Sequence, residues 1–412
     1  MVKGISGIVK SLKSVDLRLP VLLLLVALLA GCAETKNAQT GPVFFPPPPD
    51  EPHIQYLTGI SNSADLTGKQ SIFSRLLTGG TQTVVRLSKP YGVAVHGGKI
   101  YVCDIGASQI VVIDMVNKTM KNLNEEIGAA ELKKPISVTV DDDGYVYVAD
   151  NGRKDIAVYD ADGKYVKSMG KDLGTTRSII AVYAYKDYLL ALDNRLGEIF
   201  VMERKSGDLI STLGRNPDKS KNMALPNGMT VDSKGNIHVV NIGNGKVKEY
   251  DLDGHLLSEF GRMGDGFGEF TRPRGITVDD EGNIFIVDAG HQVVQVFNSQ
   301  RRLLGFFGRP GLPAGSLNLP AGIVVTKENL PLFQKYAAPG FKLNQVVIVA
   351  NQYASPINYS LAFYGMGEME KKPEDKAKKE KADVKAKKPE EKGAAAPAAA
   401  PAATPAATPA AK

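Results

Sequence analysis

The sequence GITVDDEGNIFIVDAGHQVVQVF, residues 275–297, decides the fold of this chain because its pattern occurs elsewhere in the chain. Its clearest other copies are SVTVDDDGYVYVADNGRKDIAVY (137–159) and GMTVDSKGNIHVVNIGNGKVKEY (228–250). Each copy predicts three short strands joined by two tight turns, in which Gly or Asn supplies the positive φ that a hairpin needs. A repeat of about 40–50 residues built from strands predicts a β-propeller or a solenoid.

Six copies of the pattern fit between residues 89 and 365. The first strand of each copy is predicted to begin near Pro90, Pro135, Ser178, Pro226, Pro273 and Pro320. The second strand is predicted to end near Asp104, Asp150, Asp193, Asn241, Asp288 and Asn351. In the sixth copy, residues 326–344 are predicted to form an insertion between the first and second strands.

The two ends of the repeat region favour a closed ring over an open solenoid. The sixth copy lacks a fourth strand, whereas HIQYLTGI (53–60) predicts an additional strand ahead of the first copy. Pairing that strand with the last copy completes a fourth strand and removes an exposed sheet edge. We therefore predict an all-β fold, a six-bladed β-propeller of four-stranded blades over residues 53–366.

The repeats resemble the NHL family of β-propellers. The motifs that carry the resemblance are Pro-x-Gly before the first strand, V-D-x-x-G-N at the first turn and V-x-D-x-G at the second. Residues 260–297 carry them, with Ile286 in place of the first Val of the last motif. The glycine-rich segment FGRMGDGFG (260–268) matches the Phe-Gly-x-x-Gly-x-Gly-x-Gly connector typical of that family. The resemblance covers residues 53–365 and is weakest in the third copy, which has Ser178 in place of proline.

Residues 1–31 are predicted to be an export signal. Basic residues precede the apolar run LPVLLLLVALLA at 19–30, whose twelve residues are fewer than the about 20 needed to span a bilayer core. Residues 32–52 are polar and then proline-rich, which predicts a semi-rigid spacer.

The segment Leu29-Ala30-Gly31-Cys32 resembles the lipobox of bacterial lipoproteins. The resemblance implies cleavage before Cys32 and attachment of acyl chains there, and two or more acyl chains anchor a protein stably. Ala33 stands where the inner-membrane retention signal of many Gram-negative bacteria places Asp, which favours the outer membrane, with the domain facing the periplasm or the cell surface. The whole resembles the bacterial NHL-repeat lipoproteins, and a plain secretory signal with a chance cysteine is the alternative.

Residues 367–412 are rich in Lys, Glu, Ala and Pro, a composition that predicts a disordered tail. The net charge of +6 lies mostly at the two ends of the chain, so bulk charge on the repeats does not indicate nucleic-acid binding. The motif C-x-x-C-H is absent from the sequence, so we predict that the chain carries no covalent haem. We also predict no other cofactor. Cys103 lies in an apolar strand and is predicted to be a small buried hydrophobe.

The recurring Asp or Asn at the end of the second strand suggests two roles, a ring of metal ligands or a set of turn caps. Asn241 and Asn351 replace Asp in two copies, which favours capping because Asn accepts hydrogen bonds without carrying charge.

The loops at the start of the first strands, together with the turns after the second strands, are predicted to form a recognition face. The residues after each initial proline or its equivalent are Tyr91, Ile136, Ile179, Asn227, Arg274 and Ala321. The adjoining turns add Arg153, Lys154, Arg195, Lys246, His291, Gln292 and Tyr353, with the acids Asp155 and Glu198. Aromatic, amide and Arg side chains are enriched where proteins recognise one another. This face is predicted to bind an acidic or extended segment of an extracytoplasmic protein.

Three functions remain open at this point. The favoured one is a membrane-anchored, non-enzymatic binding or scaffold module that supports assembly of an envelope complex. The alternative is a metal-dependent hydrolase or lyase of the lactonase or peptide-amidating-lyase type, which needs ligands lining the central channel, whereas the predicted first strands contain no Asp, Glu or His. The third is capture of a small ligand or ion in the channel without chemistry.

Overall fold

A computed structural model describes residues 41–67, 84–124, 128–174, 177–355 and 358–370. The predicted signal peptide, the lipidation residue Cys32 and the predicted tail from residue 371 onward lie outside these residues. The chain divides into two units, Met1–Glu368 and Met369–Lys412. Of the second unit, the structure describes the first two residues. None of the helices in the described ranges has the length and apolar character needed to cross a bilayer.

The strands of the first unit form six antiparallel sheets, the blades. Blade 1 comprises β3 (Pro90–His96), β4 (Lys99–Asp104), β5 (Gln109–Asp114) and β6 (Thr119–Asn122). Blade 2 comprises β7 (Pro135–Val140), β8 (Val146–Asp150), β9 (Asp155–Tyr159) and β10 (Tyr165–Met169). Blade 3 comprises β11 (Ile179–Tyr185), β12 (Tyr188–Asp193), β13 (Glu198–Glu203) and β14 (Leu209–Leu213).

The remaining sheets follow the same plan with additions. Blade 4 comprises β15 (Pro226–Val231), β16 (Ile237–Asn241), β17 (Lys246–Tyr250) and β18 (Leu256–Phe260). Blade 5 comprises β19 (Pro273–Val278), β20 (Ile284–Asp288), β21 (Val293–Phe297) and β22 (Leu303–Phe307). Blade 6 comprises β1 (Phe44–Phe45), β2 (Ile54–Ile60), β23 (Pro320–Thr326), β24 (Phe341–Asn351) and β25 (Leu361–Met369). The short helices are α1 (Ala64–Thr67), α2 (Leu330–Phe333) and the 3₁₀ turns Lys171–Leu173, Lys219–Lys221 and Gln334–Tyr336.

The ring closes as the sequence predicts. In blade 6 the strand order is β1-β2-β25-β24-β23, so the N-terminal strand β2 is the fourth strand counted from the centre. It pairs antiparallel with β25, from Ile54 opposite Met366 to Ile60 opposite Leu361. The innermost strands β3, β7, β11, β15, β19 and β23 contact one another in chain order, and β23 contacts β3. The fold is therefore a closed six-bladed propeller rather than an open array.

The glycine of the Pro-x-Gly motif allows neighbouring innermost strands to approach closely. The innermost strands that carry it do so at Gly92, Gly228, Gly275 and Gly322. A Cβ placed on Gly228 would lie 2.1 Å from the carbonyl oxygen of Arg274 in the next blade, a distance that no side chain tolerates. In blade 2 the same position is Ser137, whose Oγ accepts a hydrogen bond from the backbone N–H of Val182 at 3.2 Å. The motif thus sets the spacing of the ring.

The core consists of apolar layers between adjacent blades. Side chains alternate across each strand, so successive residues of a second strand face the preceding and the following blade. In β16, for example, Val239 packs toward blade 3 and Val240 toward blade 5. Both are fully buried. Second strands therefore read as continuous apolar runs, because both of their faces are covered.

The third copy differs from its predicted alignment by one residue. Ile179 pairs with Asp193, as Pro226 pairs with Asn241 in blade 4. Ile179, not Ser178, therefore occupies the position of the initial proline. It is fully buried between blades, and Ile180 takes the place that we predicted for Ile179. The strand β3 also ends at His96, so one innermost strand does include a histidine.

The insertion of the sixth copy joins its own blade to the first. Phe333 is buried and stacks on Phe363 of β25, with ring centroids 5.5 Å apart. Asn329 donates a hydrogen bond from Nδ2 to the carbonyl oxygen of Gly98 at 2.9 Å, and the Glu328 carboxylate accepts one from the Gly98 N–H. These contacts lie beside the junction between the last and first blades.

The propeller includes two residues of the segment predicted to be a spacer. Phe44 and Phe45 form β1, which pairs with β2. Phe45 is 7% exposed and its ring packs against Phe307 and Tyr364, with centroid distances of 6.1 and 6.2 Å. Because these aromatic rings pack against the blades, the folded domain begins at β1 rather than at the predicted residue 53.

Replacing Phe45 by alanine is expected to lower the free energy of unfolding by about 2–4 kcal/mol, since it removes a buried ring and leaves a cavity. Urea denaturation of the purified protein measures this change. The matched control is Phe267→Ala, because Phe267 is 83% exposed. A loss at residue 45 no larger than that of the control would show that β1 contributes nothing to the fold.

Candidate functional site

The six innermost strands enclose a central cavity of about 550 Å³. All six strands begin at one mouth and end at the other, and six extended residues span about 20 Å. We call the mouth at which they begin the upper mouth, formed by Tyr91, Ile136, Ile180, Asn227, Arg274 and Ala321. We call the opposite one the lower mouth, formed by Asp142, Asp232, Ser233, Asp279, Asp280 and Lys327.

Arg274 is the charged residue among the six that form the upper mouth. The residue is 7% exposed, and its guanidinium carbon lies 5.8 Å from the centroid of the Tyr91 ring. Arg274 belongs to blade 5 and Tyr91 to blade 1, so the side chain reaches past Ala321 of blade 6. A small residue at 321 leaves room for that reach.

The guanidinium of Arg274 has no anionic partner among the described residues. Its Nη1 is buried and makes no hydrogen bond there. Burial lowers the pKa of Arg274, because water no longer solvates the charge. The nearby Tyr91 opposes this effect, and the cation Arg272 adds to it. A buried charge without a partner is costly, so this arrangement calls for an explanation other than stability.

Other cations and aromatic rings surround the upper mouth. Tyr353 is half-exposed, and the Lys89 ammonium lies 5.4 Å from its ring centroid. Residues immediately before the innermost strands add exposed positive charge at Lys133, Lys134 and Arg272. The sequence reasoning missed these residues, as it missed Lys89. The sequence feature that could have identified them is a basic residue directly before the initial proline, which occurs at Lys89, Lys134 and Arg272.

Arg153 is engaged within the protein rather than presented to a partner. It forms a bidentate ion pair with Asp155, with Nε–Oδ1 and Nη2–Oδ2 distances of 2.9 and 3.1 Å. Its Nη1 donates to the carbonyl oxygens of Ala129 and Glu131 at 2.6 and 2.9 Å. Burial would lower the pKa of Arg153, but Asp155 outweighs that effect and raises it above the usual range.

Two more predicted recognition residues are held by neighbours. Lys246 forms an ion pair with Glu259 of the adjacent strand. His291 places Nδ1 2.7 Å from the Asp288 carboxylate and Nε2 3.1 Å from the hydroxyl of Thr271. Both side chains stabilise turns around the upper mouth.

The last three predicted residues lie in turns after the second strands. Lys154 and Gln292 occupy the same position of their turns and have positive φ values of 63° and 57°. Arg195 is exposed in the equivalent turn of blade 3. Of the predicted recognition residues with polar or charged groups, the structure therefore places Tyr91, Asn227 and Arg274 at the mouth itself.

The Asp or Asn at the end of each second strand is a cap, as the sequence predicts. Asp150, for example, is fully buried and accepts hydrogen bonds from four backbone N–H groups. Two of the donors precede the first strand, Lys133 and Lys134, and two follow the second, Gly152 and Arg153. Asn241 accepts such a bond from the Ala224 N–H at 3.0 Å.

The lower mouth is acidic, in contrast to the upper one. Four of its six residues are aspartates, and the ammonium of Lys327 lies 2.9 Å from the Asp280 carboxylate. Asp279 caps its turn and also accepts a hydrogen bond from Nε2 of Gln345 at 2.8 Å. These acids therefore line one end of the channel while Arg274 lies at the other.

Two groups of described side chains have the composition of a metal site. The first is Asp232, His238 and Glu249, in which His238 Nε2 lies 3.1 Å from Asp232. Burial raises the pKa of Asp232, but the bonds from His238 and Asn236 prevail and lower it to about 2. Arg301 pairs with Glu249, which makes the first group an ionic contact between blades 4 and 5.

The second group is Asp251, Asp253 and His255, in an outer turn of blade 4. The bond to Asp251 raises the pKa of the His255 imidazole. Neither group places a histidine in the lining of the channel.

Comparison with known proteins agrees with this architecture. The NHL repeat profile matches residues 270–297, which include blade 5 through its third strand. No curated protein matches the chain significantly.

Solved structures with a similar fold are diverse. A structural genomics protein of unknown function from Bacteroides thetaiotaomicron has a TM-score of 0.50 at 16% identity, covering 76% of this chain and 75% of that one. A gluconolactonase from Xanthomonas campestris has a TM-score of 0.49 at 15% identity, covering 68% and 86%. Virginiamycin B lyase from Staphylococcus aureus has a TM-score of 0.47 at 14% identity, covering 68% and 96%. At such identities the likeness concerns the fold alone.

Proposed function

We propose that this chain is a lipid-anchored binding module of the bacterial cell envelope, without enzymatic activity, whose upper-mouth face recognises an acidic segment of an extracytoplasmic protein. In this proposal Cys32 carries the lipid anchor in the outer membrane, and the propeller supports assembly of an envelope complex. The observation that carries the recognition role is the unequal charge of the two mouths. The sequence signals at residues 1–33 support the anchor and the location.

The charge distribution favours recognition through the upper face. Its exposed cations Lys133, Lys134, Arg195 and Arg272 ring the mouth around Arg274. Two of the acids near them, Asp155 and Glu198, are buried and paired with arginines. A partner with acidic side chains would be steered to this face and repelled from the acidic lower mouth.

The rigidity of the face also suits a binding module. Each turn around the upper mouth is tied to its blade by a buried cap such as Asp104, which accepts bonds from four backbone N–H groups. A preformed surface loses little conformational entropy on binding, so more of the contact energy appears as affinity.

The test is a comparison of two charge reversals. In the upper-face variant, Arg195→Glu and Arg272→Glu are combined. In the control, Lys164→Glu and Lys234→Glu make the same change in charge on exposed turns of the lower face. Both variants should fold, since all four side chains are exposed.

Each variant is produced in cells, crosslinked and copurified, and the captured envelope proteins are quantified by mass spectrometry. The upper-face variant is expected to lose capture of the specific partner by about tenfold or more, and the control by less than about twofold. Equal capture by the wild-type protein and the upper-face variant would contradict the proposal that this face binds the partner.

A further inference from the structure

Arg274 is arranged as a receptor for an anion. It is nine-tenths buried at the upper mouth, its Nη1 has no partner among the described residues, and it borders a cavity of about 550 Å³. In this respect it differs from Arg153, whose donors meet a carboxylate, two carbonyls and a hydroxyl. We infer that Arg274 binds a carboxylate group that enters the upper mouth, which rests on the proposed recognition function and identifies the chemistry at its centre.

The surrounding residues suit a carboxylate. The planar guanidinium matches the two oxygens of a carboxylate and can donate two parallel hydrogen bonds to it. Asn227 and the hydroxyl-bearing Tyr91 line the same mouth and make no side-chain hydrogen bond to the described protein, so both can donate to a ligand. Together with Arg274 they present donors from blades 1, 4 and 5.

The field at the mouth also favours an anion. Arg272 is close enough to lower the pKa of Arg274, so the two cations share a region of positive potential. The channel acids, Asp142, Asp232, Asp279 and Asp280, lie at the opposite ends of the innermost strands. A carboxylate that loses its hydration at the mouth must be stabilised by a fixed cation instead. Arg274 is buried and Arg272 is exposed, so Arg274 is the stronger binding partner of the two.

The lining of the upper mouth leaves space beside Arg274. Ala321 and the flanking Gly275 and Gly322, which carry a small side chain or none, line the cavity next to it. A single carboxylate on an extended segment fits this entrance. Such a carboxylate is available from an acidic side chain or from a chain terminus.

The experiment uses the purified full-length chain in detergent and isothermal titration calorimetry. The probes are succinate and three acetylated decapeptides of Gly and Ser. One peptide has a free C-terminal carboxylate, one has an amidated C-terminus and one central Glu, and one is amidated without Glu. Succinate and at least one carboxylate peptide are expected to bind, and the neutral peptide is not. The stronger peptide identifies the source of the carboxylate.

The variants separate a receptor from a structural arginine. Arg274→Met keeps the side-chain length and is expected to weaken carboxylate binding by about tenfold or more, whereas Arg272→Met weakens it by less than about threefold. Arg274→Lys is expected to retain part of the affinity, because it keeps the charge without the planar fork.

The melting temperature without ligand gives the second readout. Arg274→Met is expected to melt at or above the wild-type temperature, because it removes a buried charge that no described residue of opposite charge balances. A large drop in melting temperature, or unchanged carboxylate affinity, would overturn the inference. Absence of carboxylate binding alongside partner capture that depends on Arg195 and Arg272 would do so too, while leaving the proposed function standing.

Discussion

The variant Gly322→Ala is expected to lose at least about 3 kcal/mol of folding free energy, because the added methyl group collides with backbone where the ring closes. A Cβ at this position would lie 2.2 Å from the carbonyl oxygen of Tyr91 and 3.1 Å from Cα of Gly92. Backbone atoms cannot turn aside as a flexible side chain can. The first and last blades would have to separate.

The control for this variant is Gly305→Ala in the outermost strand of blade 5. A Cβ at Gly305 meets no heavy atom of the described residues within 4 Å, so alanine is expected to be neutral or to stabilise by up to about 1 kcal/mol. Urea denaturation of both variants measures the difference. Similar stabilities for the two would mean that the innermost strands of blades 6 and 1 are not in close backbone contact at Gly322.

The variant Asp150→Ala is expected to destabilise the protein by about 3–5 kcal/mol. It deprives four backbone N–H groups of their acceptor, at donor–acceptor distances of 2.6, 2.9, 2.9 and 3.0 Å. Hydrogen bonds to a charged acceptor contribute more than neutral ones, and unsatisfied buried donors are costly. Thermal unfolding followed by circular dichroism provides the measurement.

The comparison variant is Asp150→Asn, which reproduces the cap found in blades 4 and 6. Asn351 accepts a hydrogen bond from the Asn318 N–H at 3.1 Å and donates to the carbonyl of Tyr359. Asparagine at 150 is therefore expected to cost about 1–2 kcal/mol, less than alanine. An alanine variant as stable as the asparagine variant would argue that water replaces the lost carboxylate.

The caps and glycines also position the candidate site. Gly275 follows Arg274, and a Cβ at Gly275 would lie 2.4 Å from the carbonyl oxygen of Ala321. The backbone of Arg274 is therefore confined between blades 4 and 6. That confinement holds the guanidinium at the upper mouth, where it can meet a ligand without prior rearrangement.

Much of the fold was predictable from the chain because its determinants are local. The turn residues Asp279, Gly282 and Asn283 specify one hairpin by their own hydrogen bonds, and the pattern recurs in other copies. The recurrence itself predicted the ring, and the N-terminal strand predicted its closure. In the third copy the predicted start of the first strand was wrong by one residue, because this copy lacks the proline. The pairing of Ile179 with Asp193 establishes the correct register.

The site was less predictable, because its properties depend on partners far apart in sequence. Tyr91, Asn227 and Arg274 were selected from their place after a proline, and they do meet at the upper mouth. Arg153 was selected as a binding residue from its place in a turn after a second strand, yet its guanidinium is already bonded to Asp155 and two carbonyls. A sequence pattern reports which side chains are near a turn, not which of their donors are already bonded.

The amino-acid sequence by itself determined the number of blades, the hairpins and the closure by β2, because periodicity and turn chemistry act over a few residues. Tertiary structure alone decided that Phe45 belongs to the core, that Arg153 is paired and that Arg274 has no ionic partner among the described residues. Those outcomes depend on which groups the closed ring brings within hydrogen-bonding distance. Residues 91 and 274 meet because six blades complete one turn, and no local stretch of the chain encodes that contact.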